Sequence, residues 1–218
     1  FVVVGAVLIQ LCLGAIYAWS VFTPPLIAAG WSKLETQIVF SVGLATFALV
    51  MAFTGKRLPI WRPHRLARIG GVTLGLGYIL AGVFGGTGFW PVLIGVGVIG
   101  CAGIGMGYVV PIAVGMRWFP DHKGLITGLA VAGFGFGALG WVKIAGEWGH
   151  LLDNLGLANT FMIYGVVFIL LIFLGSLWMH MPSSQWAPPG YTAPSPLAGG
   201  GSENFSILDM LHTPQFYL

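Results

Sequence analysis

Arg117-Trp118-Phe119-Pro120-Asp121-His122-Lys123-Gly124 is a short charged turn between two long runs of apolar, Gly-rich sequence, residues 91–116 and 125–148. Each run comes near the ~20 residues that a helix needs to cross ~30 Å of hydrocarbon at about 1.5 Å per residue. A charged turn held between two such runs marks a polytopic membrane protein of the all-α class. Four further runs, residues 1–28, 37–54, 69–85 and 160–179, bring the reading to six spans. Their length and lack of alternation exclude barrel strands, which are ~10 residues of apolar-out, polar-in pattern.

Composition agrees. The chain is 57% hydrophobic and only 7% charged, against about 25% charged in a soluble domain. Lipid is the solvent that suits it. Glycine occurs 35 times without a Gly-X-Y period, as in membrane helices that pack closely. Cys12 and Cys101 fall inside apolar runs and read as packing residues, with no disulfide or metal implied.

The basic residues set an orientation. Lys56, Arg57, Arg62, Arg65 and Arg68 follow span two, and Arg117 and Lys123 follow span four. The opposite side has Lys33, while Lys143 lies within span five with Glu147 four residues on as a partner. The positive-inside rule places both basic loops in the cytoplasm. The N-terminus and the segment after span six are then cytoplasmic too, in a multi-pass protein of the inner or plasma membrane. The net charge of +3 is thus a matter of topology and implies no nucleic-acid partner.

The chain opens on Phe1 inside an apolar run and stops at Pro214-Gln215-Phe216-Tyr217-Leu218, so it is expected to be a piece of a longer protein. Residues 1–180 form the six-helix bundle. Residues 181–212 carry Pro182, Pro188, Pro189, Pro194, Pro196 and Gly199-Gly200-Gly201-Ser202 and read as a cytoplasmic linker. Residues 213–218 read as the start of a seventh helix.

Candidate functional positions cluster in spans one and four. Gly14-x-x-Tyr17 with Pro24 and Pro25 beyond it parallels Gly105-x-x-Tyr108 with Pro111 beyond it, which suggests a three-plus-three repeat. Pro24, Pro25 and Pro111 remove backbone donors and are expected to kink their helices. Tyr17, Ser20 and Tyr108 are candidates for the lining of a substrate path. Gly103 and Gly107, and Gly124 and Gly128, share helix faces on which backbones can pack or slide. The five histidines fall in loops or at span ends, and no H-E-x-x-H, Gly-x-Ser-x-Gly or phosphate loop is present. The reading is therefore not an enzyme, with no cofactor and no metal.

Four segments carry a family resemblance: residues 14–22 (GAIYAWSVF), residues 107–112 (GYVVPI), residues 117–135 (RWFPDHKGLITGLAVAGFG), and the linker pieces 186–192 (WAPPGYT) and 210–216 (MLHTPQF). Together they resemble the major facilitator superfamily, and within it the oxalate/formate antiporter family. The resemblance implies the N-terminal six-helix half of a twelve-helix transporter, whose C-terminal half is a required partner. It implies alternating access, exchange of small carboxylates, and a cavity faced by spans one, two, four and five. Between spans two and three the superfamily carries a Gly-x-x-x-Asp-Arg-x-Gly-like latch. Here Pro59 stands at the Asp position and Arg62 at that of the second Gly. A cytoplasmic gate of Arg62, Arg65, Arg117 and Asp121 is expected instead, with Asp121 pairing to Arg62 or Arg65. The competing readings are a proton-coupled monocarboxylate symporter of related fold and, from another class, a channel or membrane sensor.

Overall fold

Six helices long and apolar enough to cross a membrane account for most of the chain in a computed structural model, which describes residues 1–84, 86–183, 186–188 and 212–214. They are α1 (Val2–Ala28), α2 (Lys33–Arg57), α3 (Pro63–Val83), α4 (Phe89–Trp118), α5 (Lys123–Ala145) and α6 (Leu151–Ser176). No strand occurs among the described residues. The first compact unit runs from Phe1 to Ala187, beyond the bundle boundary expected at residue 180. Residues 184, 185, 189–211 and 215–218, covering most of the expected linker and seventh helix, lie outside the described residues.

The helix ends follow local chemistry. α1 closes on Gly30 at φ 102°, where a side chain would be strained. Gly30 N–H bonds to Ile27 O at 3.0 Å and Trp31 N–H to Leu26 O at 3.1 Å, the crossed pair of a Schellman cap. Ser32 then caps α2 in a reciprocal box with Glu35. α3 begins with Pro63 in its first turn, where the missing N–H costs nothing. The start is therefore earlier than residue 69, because hydropathy alone discounts the basic first turns. α6 also starts earlier than expected, at Leu151, but Gly156 (φ 74°, ψ 175°) interrupts it.

Glycine sets how closely the helices approach. A Cβ on Gly77 of α3 would lie 2.3 Å from Gly95 O of α4, and one on Gly165 of α6 would lie 2.5 Å from Gly75 O of α3. At such crossings backbone meets backbone, so α3 packs tightly between α4 and α6. A buried aromatic column fills the space beside it. Phe22 meets Phe161 at 4.8 Å, Tyr78 meets Phe168 at 5.2 Å, and Trp141 meets Phe168 at 4.8 Å.

Pro24, Pro25 and Pro111 sit within α-helical turns, and the departures from α geometry lie elsewhere. Gly14–Ala18 is a 3₁₀ segment inside α1, and Leu93–Gly100 is a π-helical segment inside α4.

Candidate functional site

Where α-helical geometry stops at Leu13, the last carbonyls of that turn lose their i+4 donors. The indole Nε1 of Trp141 on α5 donates to one of them, Leu11 O, at 2.8 Å. Gly137 makes this approach possible, since a Cβ there would lie 2.1 Å from Leu11 O. One turn along, Gly14 touches Phe134 O just as closely. Tyr17 follows inside the 3₁₀ segment and is carried against the ring of Phe134.

Tyr17 meets Phe134 edge-on, with centroids 5.5 Å apart and planes at 81°. Tyr108 of α4 meets the same ring at 5.1 Å and 78°. The two tyrosines of the repeated Gly-x-x-Tyr thus clasp one phenyl ring in matching fashion, an arrangement favoured by the ring quadrupoles. Phe47 of α2 completes the group, 5.5 Å from Tyr108 and 6.4 Å from Phe134. One ring each comes from α1, α2, α4 and α5.

The group is neutral and partly open. Tyr17 is 49% exposed, and neither tyrosine hydroxyl makes a hydrogen bond among the described residues. Ser20 is exposed on the next turn of α1 and takes no part in the ring contacts. Gln10 lies seven residues before Tyr17, hence on the same helix face. It is fully buried, its Nε2 donates to Tyr108 O at 3.3 Å, and its Oε1 has no partner. The group thus presents apolar rings with two phenol hydroxyls that have no hydrogen-bond partner among the described residues.

Phe47, Phe134 and Gln10 were not singled out from the sequence. Gln10 had a signal, being an amide in the middle of an apolar span, where polar groups are costly. Phe134 stands between Gly133 and Gly135, which marks a close helix approach but not its partner.

At the basic end of the bundle the expected latch takes a different form. Asp121 binds its neighbour His122, with Nδ1 to Oδ2 at 2.7 Å, and not Arg62 or Arg65. The adjacent imidazole is within reach without any long-range closure, so the local pair wins. That hydrogen bond holds the Asp121 carboxyl below its ordinary value. Arg62, Arg65 and Arg117 form no ion pair among the described residues. Arg68, by contrast, donates to Ser176 Oγ at 3.0 Å and lies over the Phe173 ring. At the other end Lys143 pairs with Glu147, which lowers the Glu147 carboxyl. Among the described residues no cluster of His, Cys, Asp or Glu is placed to hold a metal.

The sequence pattern of the Major Facilitator Superfamily matches residues 4–217. The chain belongs to that superfamily. It is a multi-pass membrane protein of a transporter family and not an enzyme. An uncharacterized MFS-type transporter of Escherichia coli (strain K12) is 28% identical over 99% of this chain and 51% of its own length. The oxalate:formate antiporter of Oxalobacter formigenes is 25% identical over 100% of this chain and 49% of its own. The apicoplast pyruvate carrier 1 of Toxoplasma gondii is 30% identical over 63% of this chain and 32% of its own. The chain thus spans about half the length of the first two superfamily relatives.

Proposed function

We propose that this chain is the N-terminal half of a secondary transporter that exchanges small carboxylates across the inner or plasma membrane by alternating access. The observation that carries the reading is the cluster of Tyr17, Phe47, Tyr108 and Phe134, with two hydroxyls left free and one ring from each of α1, α2, α4 and α5. Flat aromatic faces suit a planar carboxylate, and the free hydroxyls of Tyr17 and Tyr108, with Ser20 beyond them, are donors for its oxygens. The oxalate:formate antiporter, similar over the whole chain, supports carboxylates as the substrate class. In this reading the cationic groups that neutralise the carboxylate come from a second six-helix half. The N-terminus, the basic loops and the linker over residues 181–212 face the cytoplasm, and a seventh helix starts near residue 213. Arg62, Arg65, Arg117 and Asp121 form the rim of the cytoplasmic opening, without an Asp–Arg latch.

The similarity to a pyruvate carrier favours one second reading, a proton-coupled monocarboxylate symporter. One assay separates the two. Proteoliposomes containing the full-length protein are preloaded with unlabelled oxalate or formate, with no ion gradient, and given labelled oxalate. An exchanger accumulates label only when counter-substrate is inside. Label uptake of pyruvate that needs an imposed proton gradient, with no counterflow, would replace exchange by symport. Absence of both would remove carboxylates from the reading.

A further inference from the structure

A cleft of about 750 Å³ opens at the basic end of the bundle, away from the aromatic cluster. Its polar side chains come from three separate parts of the chain: Arg62 and His64 where α3 begins, Arg117 at the end of α4, and His180 beyond α6. Prolines of the α2–α3 turn and Trp61 supply stiff, apolar walls. The segment behind α6 is tied in place. Trp118 Nε1 donates to His180 O at 2.7 Å, Trp186 Nε1 donates to Trp118 O at 3.2 Å, and the rings of His64 and His180 stack at 4.7 Å.

A basic membrane end calls for no ligand by itself, because solvated loop cations are what orientation requires. This cleft differs in being concave and, among the described residues, without an acidic side chain. Among those residues neither Arg62 nor Arg117 has an ion-pair partner, and Asp121, the carboxylate of the neighbouring turn, is engaged by His122. The α3 N-terminus beside Arg62 also lacks a side-chain cap, which adds positive potential to the same wall. Guanidinium groups pair with carboxylate and phosphate oxygens in bidentate, charge-assisted fashion. We infer that this cleft is an oxyanion-binding site, taking a carboxylate or phosphate group that arrives either free or as the headgroup of an anionic lipid. It lies at the rim of the proposed cytoplasmic opening, away from the aromatic cluster, and does not depend on which solute crosses.

The test uses the full-length protein in lipid nanodiscs and reads binding, so that a failed transport assay leaves it untouched. Inorganic phosphate is titrated by calorimetry into phosphatidylcholine nanodiscs, and phosphatidylglycerol retained by the protein is counted by native mass spectrometry. Phosphate binding in neutral discs identifies a free oxyanion, whereas retention of phosphatidylglycerol without phosphate binding identifies a headgroup. In either arm Arg62→Gln/Arg117→Gln weakens binding about tenfold or more, while Arg62→Lys/Arg117→Lys keeps most of it. Lys33→Gln, at the opposite end, changes nothing. Arg117→Gln alone, with an intermediate loss, serves if the double variant does not fold. Binding that is the same in the Gln variants as in the wild type, or absent from both arms, overturns the site.

Discussion

Two groups of aromatic rings lie within this bundle, and they differ in what their polar atoms do. In the buried column, Trp141 donates to Leu11 O and Tyr164 donates to Trp141 O, so α1, α5 and α6 are bonded in series through ring edges. Phe161, Phe168 and Tyr164 are essentially inaccessible. In the second group, Tyr17 and Tyr108 clasp Phe134 but leave their hydroxyls unused, and Tyr17 keeps half its surface open. In the first group Trp141 and Tyr164 have their polar ends satisfied, as buried groups require, while Tyr78, also in the column, makes no hydrogen bond among the described residues. The second has the same ring chemistry with its hydrogen-bonding capacity held in reserve. In the proposed reading identical residue types serve packing in one place and recognition in another, and the half-open surface of Tyr17 sets the second group apart.

That difference can be broken from either side. Phe161→Ala empties a fully buried ring position in the column and is expected to cost about 3–5 kcal/mol. The check is a large fall in the thermal midpoint in detergent, with little folded protein recovered. Tyr164→Phe keeps the ring and deletes only the bond to Trp141 O, for an expected loss of about 1–3 kcal/mol, with transport per folded molecule unchanged. Tyr17→Phe and Tyr108→Phe are the mirror experiment. Stability should stay within about 0.5 kcal/mol of wild type, while exchange of carboxylate in proteoliposomes falls by roughly tenfold, about 1.4 kcal/mol. If Tyr17→Phe transported normally but lost stability, the two groups would be of one kind.

The smallest effect belongs to Asp121. Its folded-state pKa is depressed below 3.8 by the His122 hydrogen bond. A depressed carboxylate contributes stability above its unfolded pKa and loses it as pH falls through the folded value. Asp121→Asn should therefore match wild type in strong acid and be marginally less stable at neutral pH, as followed by thermal midpoints from neutral pH to well below 3.8.

The number and type of the elements were legible in the sequence because apolar length is a strong signal. The Pro63 and Leu151 starts were not, since the basic first turns of α3 and the isolated turn before Gly156 dilute hydropathy. Tyr17 and Tyr108 could be picked out by their matched Gly-x-x-Tyr context. Their shared partner Phe134 could not, because which ring fills the space between them depends on the approach of α1 and α5 at Gly14 and Gly137. The expected Asp121 contact to Arg62 or Arg65 went the other way for a related reason: loop proximity was inferred, and a neighbour one residue along was closer. The glycine faces also split. Gly103 of α4 is pressed on the α3 backbone, whereas Gly124 and Gly128 of α5 have nothing within 4 Å.

The 3₁₀ segment that carries Tyr17 has a mechanical consequence. Its five residues, Gly14–Ala18, rise about 0.5 Å more per residue and turn about 20° more per residue than α-helix. Rewinding them would shorten α1 by about 2.5 Å and rotate everything beyond Ala18 by about 100° relative to the inner half. In α4, the repeat partner of α1, the π segment Leu93–Gly100 is wound in the opposite sense, too loosely rather than too tightly. One helix of the pair is thus overwound over one segment and the other underwound, so relaxing toward α geometry would turn Ser20 about the axis of α1 and the residues beyond Gly100 about that of α4.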